Sequence, residues 1–217
     1  MNARIAFLSV SLLSASAFAK PTLNYKAPAE EEDERPVATE VTVAPQGSDI
    51  AFKLVFNRMP WGDECKNRCA NVTLFVDTDN STSTGLQLGP KAAETGADLS
   101  VNVQGVRDYK EKSADVMLRA KVRTFGSDAT GVEQGEVLTE LDNRHDTDRV
   151  QSEENTVYVL VDATSAALPS GKQMRVIYHP PGQSPIKGMT NGMLAGGSGK
   201  VEVFKKGQKT AEPKKKK

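Results

Sequence analysis

The sequence predicts an all-β fold, an antiparallel β-sandwich of seven to nine strands with flexible termini. Three observations carry that expectation. Apolar residues recur at every second position in one segment after another; no stretch of eleven residues holds a convincing helical period; and turn-forming residues separate the alternating runs. Alternation buries one face of a strand and wets the other, so several such strands close around a shared interior as two facing sheets. A closed barrel is the alternative closure.

The first segment is read as an export signal. Arg4 supplies a positive charge, Ile5 to Leu13 form a short apolar run, and small residues lead to Ala17-Phe18-Ala19, which fits the small-x-small rule for cleavage. The run is roughly half the ~20 residues a membrane-spanning helix needs, and no later segment reaches that length, so no transmembrane segment is expected. A short signal of this kind suits a bacterium. The product is expected in the periplasm, at the cell surface or outside the cell.

Removing residues 1–19 leaves about 200 residues, the size of one domain. Residues 20–36 read as an acidic, proline-containing linker, because APAEEEDERP at 27–36 combines a carboxylate run with flanking prolines. Residues 37–204 are assigned to the sandwich. Residues 205–217 carry seven lysines and one glutamate with no large apolar side chain, and such a tail cannot bury enough surface to order itself. Its charge admits attachment to a polyanionic surface, or no partner beyond water. It lacks the aromatic residues that stack on bases, so nucleic acid is not expected as a partner. Overall the chain is neutral, with 28 Lys and Arg against 28 Asp and Glu, but that balance averages unlike parts.

Strands follow from the alternation. Ile50, Phe52, Leu54 and Phe56 form one buried set; Val72, Leu74 and Val76 the next; then Leu99, Val101 and Val103. Val116, Leu118, Ala120 and Val122 alternate with Arg119, Lys121 and Arg123. Residues 157–161, 174–178 and 201–204 complete the stronger candidates, with 37–45 and 136–141 weaker. One helical turn fits Ala163 to Leu168.

The most informative stretch runs from Val72 through Asp77-Thr-Asp79-Asn80 and Thr84-Gly85 to Gly96-Ala97-Asp98-Leu99. The pattern of apolar strand, DTDxN, TG, loop, GAD and strand resembles the secreted β-sandwiches of carbohydrate-binding family 9 and the DOMON superfamily. The likeness covers about residues 48–180. It implies a sandwich that binds sugar, holds haem or joins other modules, and it is poorly specific among these.

The carboxylates can be read without that likeness. Asp77, Asp79 and Asp98 flank one turn, with Asn80, Ser81 and Ser83 offering further oxygens. Calcium takes six to eight oxygen ligands in a flexible arrangement, so Asp77, Asp79, Asn80 and Asp98 are its candidate ligands. An EF-hand is excluded, since Thr82 and Leu88 stand where its glycine and bidentate glutamate belong. The competing reading is that these side chains cap turns. Cys65 and Cys69, the only cysteines, are expected to form a disulfide in an exported chain. Trp61, the sole tryptophan, either stacks on a sugar ring as the candidate ligand-binding residue or packs against the sandwich. Met59 and His179 are the one pair able to ligate haem axially, an alternative that would make the protein an electron carrier.

No nucleophile elbow, P-loop, dinucleotide fingerprint or zinc motif is present, and neither His145 nor His179 lies in a triad pattern. The chain is expected to be non-enzymatic. Its role would be to bind a glycan or other envelope ligand, or else to act as a structural or interaction protein of the envelope or matrix with no small ligand.

Overall fold

Period-two alternation becomes two antiparallel sheets. The computed structural model describes residues 21–24, 35–46, 49–62, 69–87, 96–107, 116–162, 165–166, 172–179 and 185–190. Among these lie eleven strands: β1 (Leu23–Asn24), β2 (Ala38–Gln46), β3 (Asp49–Phe56), β4 (Asn71–Asp77), β5 (Leu99–Arg107), β6 (Val116–Thr124), β7 (Glu136–Asp142), β8 (Val150–Glu153), β9 (Thr156–Asp162), β10 (Arg175–Tyr178) and β11 (Ile186–Met189). One sheet has the order β1-β2-β3-β9-β8, the other β11-β10-β4-β5-β6-β7. Every pairing is antiparallel. No α-helix occurs among the described residues; a single 3-10 turn, Val132–Gln134, precedes β7.

The sheets face one another across one apolar interior. Ile50, Phe52, Leu54 and Phe56 of β3 share it with Val157, Val159 and Val161 of β9, and these meet Val72, Leu74, Val76, Leu99, Val101, Val103, Leu118, Ala120 and Val122 of the six-stranded sheet. These are the alternate positions read from the sequence. Each such side chain contributes on the order of 1.5–3 kcal/mol by leaving water. The fold is an antiparallel sandwich, with more strands than the seven to nine expected.

Three strands are not legible in the sequence. Leu23–Asn24 falls in the stretch assigned to the linker, yet it pairs with Val41 and Glu40. Leu23 is buried in the core, and the Thr22 hydroxyl accepts from the Val43 N–H at 2.9 Å. The ordered domain therefore begins upstream of residue 37. β8 escapes because its buried side chains are mostly polar, Gln151 and Ser152 beside Val150. β11 is short and carries Lys187 and Gly188. The weak candidates at 37–45 and 136–141 are strands β2 and β7. The signal at 1–19, the acidic run itself, the strand candidate at 201–204 and the tail at 205–217 lie outside the described residues.

Where β1 and β11 meet, the sheets approach closely. A Cβ added to Gly188 would stand 2.1 Å from the Thr22 carbonyl oxygen and 2.9 Å from Leu23 Cδ2. Only glycine admits that backbone contact.

Candidate metal site

The acidic cluster is built by strand register. Val76 pairs with Leu99, so Asp77 at the end of β4 and Asp98 just before β5 are neighbours although 21 positions apart in sequence. Asp79 follows in the first turn of the connection. One carboxylate oxygen from each of Asp77, Asp79 and Asp98 lies within 4.8 Å of the others. Asp77 is fully buried, Asp98 half-buried and Asp79 exposed.

The connection between β4 and β5 holds these groups in place. The Asp98 Oδ2 accepts from the Thr78 N–H at 2.8 Å and the Thr78 hydroxyl at 2.7 Å. Asp79 accepts from the Ser81 N–H at 2.8 Å and the Thr84 hydroxyl at 2.9 Å. Asn80 adopts a left-handed conformation, φ 61°, and its amide donates to the Gln173 carbonyl at 3.0 Å, tying the turn to the approach of β10. Gly85 and Gly96 also have positive φ, 68° and 52°. A Cβ on Gly85 would lie 2.3 Å from the Ala97 oxygen, and one on Gly96 2.2 Å from the Ser81 oxygen. The TG and GAD signatures are thus backbone requirements of this loop.

The loop is anchored by apolar contact as well. Phe75 and Ile177 point to the outer face of the six-stranded sheet, where Leu86, Ala97, Phe125 and Ala129 cover them as a second small core. The acidic turn therefore rests on a packed floor.

Arg175, which opens β10, supplies the local counter-charge: its guanidinium donates to the Asp77 Oδ2. Nothing local in the sequence singles it out, and only the pairing of Arg175 with Asp77 across β4 and β10 exposes the relationship. Burial raises the Asp77 carboxyl above the usual range; Arg175 opposes the rise, while Asp79 and Asp98 add to it. Asp79 is held below the usual range: desolvation acts against this, but the Ser81 and Thr84 donors and the hydrogen bond shared with Asp77 outweigh it. Three carboxylates against the Arg175 guanidinium and the Lys172 ammonium, which acts on Asp79, leave an excess of negative charge at this rim.

The other candidate residues lie elsewhere. Trp61 is half-buried and packs against the main core. It sits by the opposite end of β4, where the Ala70 N–H donates to the Pro60 carbonyl at 2.9 Å. Six residue steps of strand separate Asn71 from Asp77, roughly 20 Å. Trp61 and the Asp77–Asp98 loop, the two regions named as candidate binding elements, therefore lie at opposite ends of β4. Met59 precedes Trp61 at that far end. His179 lies on the outer face, its ring edge-on to Phe75 at 5.7 Å between centroids. Desolvation there, with Lys187 adding, lowers its pKa. Cys69 is buried; Cys65 lies outside the described residues. His145 pairs with Asp142 at 2.9 Å in an exposed turn, where Asp142 also accepts from the Arg144 and His145 N–H groups. That is turn capping.

Fold and site together define an all-β, two-sheet antiparallel sandwich with a carboxylate cluster at one rim. No family model, no curated protein and no solved structure matches the chain.

Proposed function

We propose that this chain is an exported, non-catalytic binding module for a glycan or other envelope ligand, with calcium stabilising the loop at Asp77, Asp79 and Asp98. The observation that carries the metal assignment is the 4.8 Å convergence of those three carboxylates. Calcium–oxygen distances of about 2.3–2.6 Å put two ligands on opposite sides of one ion at most about 5 Å apart, so the spacing of the three carboxylates is compatible with a single shared ion. Asn80 and the Ser81 and Ser83 oxygens are near enough in sequence to complete the shell. The ion would neutralise the excess charge and tie the β4–β5 connection to the strand ends.

Export is supported by the signal pattern at 1–19 and by the position of Leu23, a core residue four places beyond Ala19. The absence of a free thiol among the described residues supports the Cys65–Cys69 disulfide. The closing of the DTDxN and GAD segments on one another supports the likeness to carbohydrate-binding family 9 and DOMON-like domains. A second reading, an interaction protein without a small ligand, is favoured by the packing of Trp61 against the core, which leaves the sole tryptophan less surface for stacking. Haem is the weakest reading, because His179 faces outward against Phe75.

Differential scanning fluorimetry of the mature protein tests the metal. Calcium at about a hundred times its dissociation constant adds about 2.7 kcal/mol, which raises Tm by about 5–10 °C for a domain of this size, and chelation reverses the rise. An unchanged Tm removes calcium from the account. A glycan array run with calcium separates a sugar-binding module from an interaction protein.

A further inference from the structure

The outer face of the six-stranded sheet carries a second polar feature beyond the acidic rim. On β6 the three successive outward positions are Arg119, Lys121 and Arg123, all cationic. Register sets Gln104 opposite Arg119, Asn102 opposite Lys121 and Ser100 opposite Arg123 on β5. One strand further, Asn71 stands opposite Gln104 and Thr73 opposite Asn102 on β4. Directly paired side chains are about 5 Å apart and alternate rows about 7 Å apart, so cations, amides and hydroxyls form a flat polar grid.

Carboxylates border this grid along β7 and, beyond Ser100, at the Asp77–Asp98 end of β4 and β5. On β7, Glu140 is opposite Lys121 and bonded to it, and Asp142 is opposite Arg119. Asp142 is engaged by the His145 ring and two N–H groups of its own turn. Lys121, Arg119 and Arg123 all act electrostatically on the one Glu140 carboxylate. In the rows through Gln104 and Asn102 the outward side chains of β5 and β4 are neutral; further along the same face Asp77 and Asp98 carry carboxylates. Along β6 itself the outward charge is of one sign, and Arg119, Lys121 and Arg123 face the amides of Gln104 and Asn102 and the hydroxyl of Ser100 across β5.

We infer that the β4–β5–β6 outer face binds an acidic glycan, its carboxylate or sulfate groups meeting Arg119, Lys121 and Arg123 and its hydroxyls meeting Asn102, Gln104, Thr73 and Asn71. The two rows through Gln104 and Asn102 contain no apolar residue, and that favours a sugar over a lipid surface, which would take inserted apolar side chains. This deepens the binding-module reading above and rests on it: it names both the ligand class and the surface.

The test uses the full mature chain with the seven lysines of 205–217 changed to glutamine, so that the tail does not contribute. Binding to polygalacturonate, heparin and a neutral glucan is measured by titration at about 50 and about 300 mM NaCl. The expected result is binding to one or both acidic polymers, weakened by salt. It falls about tenfold in Arg119→Gln with Lys121→Gln, is retained in Arg119→Lys, and leaves the neutral glucan unbound, with Tm of the variants within about 4 °C of the parent, the loss that breaking the partly exposed Lys121–Glu140 pair allows. Acidic-polymer binding that the double substitution leaves unchanged overturns the surface. Neutral-glucan binding indifferent to Arg119 overturns the acidic class while leaving a sugar-binding module standing. Loss of affinity for mixed phosphatidylcholine–phosphatidylglycerol vesicles on the same substitutions, without polymer binding, reassigns the face to lipid and overturns the proposal.

Discussion

Asp77 at the end of β4 is fully buried, and its carboxylate is met by the guanidinium of Arg175, the first residue of β10 and its direct cross-strand partner. Breaking a buried pair by removing one partner strands a charge and costs about 3–5 kcal/mol. Arg175→Gln is accordingly expected to lower the stability of the chelated protein by about 3 kcal/mol. Calcium should restore part of it, giving this variant a larger calcium response than the parent. Urea unfolding with chelator and with calcium reads both quantities.

Asp77→Asn acts in the opposite sense on the same pair. Burial already disfavours the Asp77 charge, so its neutralisation should cost less than the loss of Arg175 in chelator. It should also abolish most of the calcium-dependent rise in Tm. Asp98→Asn is expected to lose the rise as well, since Asp98 belongs to the same triad.

Gly96 admits no side chain. Its φ of 52° and the 2.2 Å that would separate an added Cβ from the Ser81 oxygen predict that Gly96→Ala costs about 1–3 kcal/mol. Thermal unfolding should drop by several degrees, about 2–4 °C for each kcal/mol. The calcium response should weaken with it, because the turn carrying Asp79 must shift.

Leu23 belongs to the core, so Leu23→Ala is expected to destabilise by at least about 2 kcal/mol, as buried leucine truncations do. A shift in the urea midpoint at unchanged slope would register the effect; no shift would return residues 20–36 to linker status.

Glu140 is held below its ordinary value of 4.5, first by its bond to Lys121 and then, against a desolvation cost, by Lys121, Arg119 and Arg123 at longer range. A carboxyl lowered in the fold stabilises above its unfolded value, and that contribution disappears as pH falls through the folded value. Glu140→Gln should therefore flatten the stability profile below about pH 4.5 and lower it above. The effect should stay under about 1 kcal/mol, because the pair is partly exposed. Tm measured across about pH 3 to 7 in parent and variant checks the sign.

Legibility depends on whether burial is written in apolar residues. β3, β4, β5, β6 and β9 announce themselves because their inward positions are Ile, Leu, Val and Phe. β8 buries Gln151 and Ser152, whose burial is worked out through hydrogen bonds such as Gln151 to the Thr147 carbonyl at 2.8 Å, and no hydropathy pattern records that. At the site, the carboxylates and the two glycines are readable as local motifs. Arg175 is not, because its pairing with Asp77 spans 98 positions and exists only through the register of β10 on β4. Trp61 and Asp77 are only 16 positions apart, and β4 carries them to opposite rims. A single strand between them is enough for that.

The contact between Gly188 and Thr22 has a practical consequence. Whatever precedes Pro21 and whatever follows Thr190 depart from a shared border of the sandwich, since β1 and β11 are the outermost strands of their respective sheets on that side. A tether joined directly before Pro21 would start beside one joined directly after Thr190, whereas β7 and β8 are the outermost strands at the other edges of the two sheets. Immobilisation through one terminus alone, with the second left bare, is the geometry that keeps both lateral borders distinguishable in an experiment.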